Sequence, residues 1–325
     1  MKNILFTIVL FFSVICNLHT QVEFINYDLF ISELNFNGTD YIILRKFKLI
    51  NNNDGLIALN PNNLETSIIY SKANNRVSWN YLEKKYNGTT YMMLRSLAKQ
   101  YKKGLQNSGI QNIFSKSEII ITTDLCPSSN KLDKYFYEKI YNIYTSNSLT
   151  KKGANNKSPL PVGIAITGKW IKKHKKDLRW LLEREKEKEL KISWINHSFN
   201  HNFIRGEENK SNFLLIKGTN IKNEVFKTEE LMLNEGLKMS IYFRFPGLIS
   251  NEKIYNKLLD YGLIPIGSDS WISKGQYPKS GSIVLVHTNG NNKKGKNRFI
   301  RWYNENINFF KIQSINQVIY KYFCL

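Results

Sequence analysis

The chain has 325 residues with 42% hydrophobic and 22% charged content, enough for a large buried core and too apolar for global disorder. Its 47 Lys and Arg against 26 Asp and Glu leave a formal charge of +21, which suits anionic surroundings such as nucleic acid, acidic glycans or a phosphate-rich cell envelope. Three cysteines with no CxxC pair exclude a structural zinc ribbon.

In chain order, one lysine and then an apolar run from Ile4 to Cys16 read as a secretory leader or N-terminal anchor over residues 1–21. The rest of the chain is therefore expected outside the cytoplasm: secreted, periplasmic or anchored at the cell envelope. Cys126 and Cys324 would then be the two thiols left to the processed chain. Residues 22–110 read as a smaller mixed α+β region of unknown role. Tyr41–Leu49 alternates like a half-exposed strand, Asn51–Gly55 carries turn chemistry, and Thr90–Leu105 has helical spacing with a basic outer face. Residues 106–116 are polar and read as a linker.

From residue 116 to 325 the pattern changes to strands alternating with helices. Strands are expected at Glu118–Thr123, Pro161–Thr167, Ile192–Ile195, Met239–Phe243, Ile264–Gly267 and Ile283–Val286. Helices are expected at Leu132–Tyr144, Lys169–Leu190, Val225–Gly236 and Ile254–Tyr261. Such alternation argues an α/β domain with a parallel sheet or barrel. Five polar residues follow strand ends: Asp124, His197, Arg244, Asp269 and His287. In α/β barrels catalytic groups converge at those ends.

His197 and His201 are four apart, on one face if the segment turns helically, and two such imidazoles can share a metal such as zinc. Asp124 at a strand end is a ligand or a general base. Arg244, flanked by apolar residues, needs a carboxylate partner, for which Asp124 is a candidate. His19 in the leader and His174 in a Lys-rich helix read as solvated.

The order of these motifs resembles the polysaccharide deacetylase group, the NodB-homology family of carbohydrate esterase family 4. The motifs read ITTDLCP (121–127), NHSFNH (196–201), FRFPG (243–247), SDSW (268–271) and VLVHT (284–288), with PVGIAITGKW (161–170) and NEVFKTEELMLNEGL (223–237) between them. The resemblance implies a deformed (β/α) barrel of NodB type behind the smaller N-terminal region. It implies a divalent metal ion, commonly zinc or cobalt, on His197 and His201, with Asp124 as base, Arg244 orienting Asp124, His287 as acid and Asp269 tuning His287. Trp271, Leu285, Phe245 and Pro246 would form the substrate-binding wall. The implied activity is hydrolysis of N-acetyl, or O-acetyl, groups on an envelope or extracellular polysaccharide containing N-acetylhexosamine.

One position departs from the family. Leu125 stands where a second aspartate, the third metal ligand, is usual, and Cys126 follows where glycine is usual. Asp124, a Cys126 thiolate or a water could close the metal shell, and Asp124 is the favoured choice. The departure keeps a second reading open: a catalytically inactive relative that binds glycan. Nucleic acid is not expected as a partner, because Lys172, Lys173, Lys175 and Lys176 fall in one helix-like stretch that reads as a solvated face.

Overall fold

The computed structural model describes residues 24–49, 53–72, 75–101, 104–113, 116–152 and 158–324. The leader expected at residues 1–21 and the turn at 51–52 lie outside them. Among the described residues no helix is long and apolar enough to cross a membrane.

The chain opens with an antiparallel sheet of β1 (Phe24–Phe36), β2 (Thr39–Leu49), β3 (Asp54–Leu59) and β4 (Thr66–Ile69), paired in sequence order. Asn37 and Gly38, at φ 50 and 76, form the two-residue turn between β1 and β2. A left-handed pair of this kind matches the twist of the strands it joins. Helices α1 (Trp79–Lys85) and α2 (Thr90–Gln100) follow. The expected mixed α+β region is present, and it is not a separate layer. Ile42 and Leu44 of β2 share one buried cluster with Tyr91 and Leu94 of α2 and with Phe243 and Tyr255 further along the chain.

The segment read as a linker is corrected. Ile110 and Ile113 are buried. The Ile110 N–H donates to the Pro265 carbonyl at 2.9 Å, and the Gly267 N–H donates to the Ile110 carbonyl at 2.9 Å. Gly109, at φ 129, lets the backbones meet: a Cβ there would stand 2.5 Å from the Ile266 carbonyl carbon.

The second unit contains β5 (Glu118–Leu125), α3 (Lys134–Lys152), β6 (Leu160–Ile166), α4 (Gly168–Lys173), α5 (Lys175–Lys186), β7 (Leu190–Asn196), α6 (Ile221–Asn234) and β8 (Met239–Phe243). It continues through α7 (Glu252–Asp260), β9 (Ile264–Pro265), β10 (Ser270–Trp271), β11 (Ile283–His287), α8 (Lys293–Asn306), β12 (Lys311–Ile312) and α9 (Ile315–Cys324). The eight strands form one sheet in the order β10-β11-β5-β6-β7-β8-β9, with β12 also paired to β5. Every pairing is parallel. The sheet curls into a deformed (β/α) barrel, and its edge strands β9 and β10 are not paired to each other.

Burial on both faces explains why the strands read as continuous apolar runs. Along β5, Ile120 packs inward with Ile195, Phe243 and Ile283. Ile119, Ile121 and Leu125 pack outward against Phe136, Ile140, Trp170 and Phe299 of the helix layer. This alternation decides which residues of the β5 end can reach the site. The helix expected over 169–190 is two helices, broken at His174 (φ −114, ψ 43). His174 is corrected too. It is buried, stacked on Trp170 at 4.9 Å, and its Nε2 meets the Ser128 carbonyl at 3.0 Å, bracing the loop beyond β5.

Candidate active site

Parallel pairing in register brings the C-terminal strand ends to one rim. His287 is the β-partner of Asp124, Asp124 of Ala165, and Ile166 of Asn196, so β11, β5, β6 and β7 end side by side. Arg244 follows β8 directly, its N–H donating to the Asn196 carbonyl at 3.0 Å.

Arg244 is fully buried and Asp124 almost so. The guanidinium Nη1 donates to Asp124 Oδ1 at 2.8 Å and to Thr122 Oγ1 at 2.7 Å, and Nη2 donates to the Gly267 carbonyl at 3.1 Å. Burial alone would raise the Asp124 carboxyl, but the charge of Arg244, helped by His197 and His287, outweighs it and holds the group below the ordinary carboxylate value. Asp124 is thus an anion whose Oδ1 is fixed and whose Oδ2 faces His197 Nε2 at 3.7 Å.

The two histidines of NHSFNH meet by a route other than the expected helical face. Residues 197–201 are not helical, and Ser198 and His201 take left-handed backbone angles, φ 69 and 49. This tight turn brings the rings to 4.9 Å, edge to face. Glu224 on α6 clamps the turn: Oε2 accepts from the Phe199 N–H at 3.0 Å and the Asn200 N–H at 2.8 Å. The Ser198 and Phe199 carbonyls accept from the N–H groups of Gly168 and Lys169 at the start of α4. Gly168 leaves room for Phe199, whose ring would lie 2.2 Å from a Cβ there.

Each histidine has a nitrogen available for a cation. His197 Nδ1 is bonded to the Arg244 carbonyl at 2.8 Å, which marks Nδ1 as the protonated nitrogen and leaves Nε2 as a lone-pair donor. His201 Nε2 is closed to solvent and has no hydrogen-bond partner among the described residues. Burial first, then the neighbouring His197, drives the His201 imidazole down to about 3, so it is neutral. Neutral imidazoles that each present a ring nitrogen lone pair are what a divalent metal requires. The residues present fit one.

The donor set that contains both histidines also contains Cys126. Donor atoms of Cys126, His197 and His201 lie within 4.8 Å of one another, and so do those of Asp124, Cys126 and His287. The Cys126 thiol is free and its Sγ is 3.6 Å from His197 Nε2. Leu125, at the position where the resemblance expects a ligand, is fully buried in the helix-layer core.

On the other side of the rim, the Trp271 indole stacks on His287, ring centroids 5.5 Å apart at 26°. Leu285, two residues earlier on β11, is buried on the same strand face as His287. Burial lowers the His287 imidazole, with the Asp124 charge opposing the shift. His287 Nδ1 has no hydrogen-bond partner among the described residues.

Three expected roles are corrected. Asp269 makes no hydrogen bond to His287; its oxygens accept from the N–H groups of Asn112 and Ile283, both at 2.8 Å, tying residues 107–112 to β11. Phe245 is fully buried between Phe243 and Tyr255, at 5.3 and 6.1 Å, as part of the core rather than the substrate wall. Pro246 is buried as well, starting a short 3₁₀ turn. Sequence reasoning also missed three supports. These are Glu224; Tyr137, whose hydroxyl bridges Thr123 Oγ1 and Thr288 Oγ1 at 2.9 Å each; and Asn289, which donates to the Cys126 carbonyl at 3.2 Å. Only Glu224 lay within a quoted motif.

No family model matches the chain. Among solved structures it is similar to a family 4 carbohydrate esterase from Bacillus anthracis, at 18% identity and TM-score 0.44 over 70% of this chain and 91% of that one. It is similar to PdaA of Bacillus subtilis, also a family 4 carbohydrate esterase, at 15% identity and TM-score 0.42 over 82% and 94%. A CE4 family pseudoenzyme from Bacillus anthracis matches at 12% identity and TM-score 0.41 over 63% of this chain and 66% of that chain, so this chain spans about two thirds of its length. The solved structures that this chain is similar to thus include family 4 carbohydrate esterases, the group its motifs resemble.

Proposed function

We propose that the chain is a metal-dependent carbohydrate deacetylase acting on acetylated amino sugars of an envelope or extracellular polysaccharide. The observation that carries this reading is the single rim on which an Arg-held carboxylate, two neutral histidines and a Trp-stacked histidine converge. His197 and His201 would hold a divalent ion, which when bound supplies Lewis-acid polarisation of the acetyl carbonyl and an activated water.

The chain's own groups then divide the proton work. Asp124, with Oδ1 fixed by Arg244, takes the water proton at Oδ2 as a new carbon–oxygen bond forms at the acetyl carbon. The acetyl C–N bond breaks, and His287 delivers a proton to the departing sugar amine. Burial lowers the His287 imidazole against the opposing charge of Asp124, so once protonated it gives its proton up readily. Trp271 walls the cleft and Leu285 offers an apolar seat for the acetyl methyl. The leader-like residues 1–21 and the charge of +21 support an extracytoplasmic reaction on an anionic surface.

Leu125 favours one alternative, a glycan-binding relative without turnover, because its side chain supplies no ligand. The two readings separate on an N-acetylglucosamine oligomer. The deacetylase releases acetate and free amines in equal amounts, His197→Ala abolishes release, and His287→Asn slows it by about 10²–10⁴-fold. Wild-type protein that binds the oligomer without releasing acetate contradicts the deacetylase and selects the alternative.

A further inference from the structure

We propose that Cys126 is the third protein ligand of the metal site, giving a Cys–His–His centre in place of a carboxylate–His–His one. The inference rests on the metal-dependent reading above and deepens it.

The first support is strand geometry. β5 ends at Leu125, and successive side chains on a strand point to opposite faces. Asp124 points to the rim and Leu125 into the helix-layer core with Ile119 and Ile121. A carboxylate at 125 would enter that core rather than the site. The next residue, Cys126, returns to the rim, so the donor is supplied one residue later than the motif spacing implies.

Donor spacing is the second support. Zinc–sulfur and zinc–nitrogen bonds of about 2.3 and 2.0 Å at a tetrahedral angle hold their donors about 3.5 Å apart. Cys126 Sγ and His197 Nε2 are 3.6 Å apart. A nitrogen of His201 lies within 4.8 Å of both, and His201 Nε2 is closed to solvent with no hydrogen-bond partner. The loop carrying the sulfur is held on both sides. Asn289 donates to the Cys126 carbonyl at 3.2 Å, and His174 meets the Ser128 carbonyl at 3.0 Å.

The third support is economy of roles. Asp124 Oδ1 is engaged by Arg244. With Cys126 completing the protein ligands, Asp124 is not needed on the metal and stays available as the base. Three protein donors also leave a fourth position open, as catalytic zinc sites do. A thiolate donor selects zinc over harder cations such as magnesium.

The test loads the metal-free full chain with cobalt(II) and records the near-ultraviolet absorption of thiolate-to-cobalt charge transfer alongside the visible ligand-field bands. Zinc affinity is measured by competition. The expected result is a charge-transfer band in wild type that disappears in Cys126→Ser and Cys126→Asp. Zinc affinity in Cys126→Ser should fall by more than the roughly 10–100-fold that loss of an outer-shell partner costs. The wild-type spectrum decides the matter even if a variant folds poorly. Visible bands without a charge-transfer band, or a band that survives Cys126→Ser, overturn the Cys126 assignment and leave the metal-dependent reading standing. No stoichiometric uptake of cobalt or zinc overturns both.

Discussion

At the scale of single residues, the site pairs a carboxylate held by Arg244 with histidine nitrogens that have no partner among the described residues. Arg244 spends its fork on Asp124, Thr122 and Gly267, so the carboxylate is charged, oriented and dry. The three rim histidines behave oppositely: burial holds His197, His201 and His287 below the ordinary imidazole value. The sign of the resulting pH dependence follows. Below about pH 6.5 the unfolded chain takes up protons that the folded chain refuses, so stability is lost as pH falls. His201, lowered to about 3, stays neutral at mildly acid pH. It alone contributes a loss of roughly 2 kcal/mol at about pH 5. The depressed Asp124 carboxyl does not offset this, since its contribution is lost only at more acid pH. Thermal unfolding of the metal-free protein across this range should show a falling Tm, flatter in His201→Gln. A Tm independent of pH would contradict the buried, neutral state of these rings.

Elements decide which residues reach the rim, and here the sequence was only partly legible. The order of strand ends that carry Asp124, His197, Arg244 and His287 could be read from apolar runs, because a parallel sheet buried on both faces leaves that signature. The route by which His197 meets His201 could not. Spacing suggested a helical face, while the chain uses left-handed angles at Ser198 and His201, held by Glu224 from a helix more than twenty residues on. Motif alignment also pointed to position 125 for a ligand, whereas strand alternation hands that task to position 126. A substitution separates these accounts. Leu125→Asp adds a carboxylate at the motif position but buries it among Ile121, Phe136 and Trp170. Urea unfolding should show a loss of at least the roughly 2–5 kcal/mol of a Leu→Ala cavity, with no gain in zinc affinity. A stable variant with tighter zinc binding would contradict the outward placement of residue 125.

Across the whole molecule, the N-terminal sheet and the barrel share one core, a relation that no local pattern announces. Arg45 of β2 reaches Glu229 of α6, with Nε to Oε2 at 2.7 Å and Nη2 to Oε1 at 2.9 Å, both side chains fully buried. Arg45 also donates to the Tyr261 carbonyl at 2.6 Å. The partners lie 184 residues apart, beyond what periodicity or capping rules can connect. Breaking this pair strands a buried charge: Glu229→Ala should cost about 3–5 kcal/mol by urea unfolding, while the charge-free Arg45→Met, Glu229→Leu pair recovers most of it. Equal loss in both variants would show that packing, not the stranded charge, sets the cost.

The central claim is that the rim built from Asp124, His197, His201 and His287 hydrolyses an acetyl group with the help of a bound metal. The most direct measurement is acetate release from an N-acetylglucosamine oligomer by one protein sample, first as purified, then after chelation, then after zinc is returned. Release that stops on chelation and resumes with zinc is the expected result. Release that continues unchanged through chelation, or that never begins in the zinc-loaded protein, would contradict it.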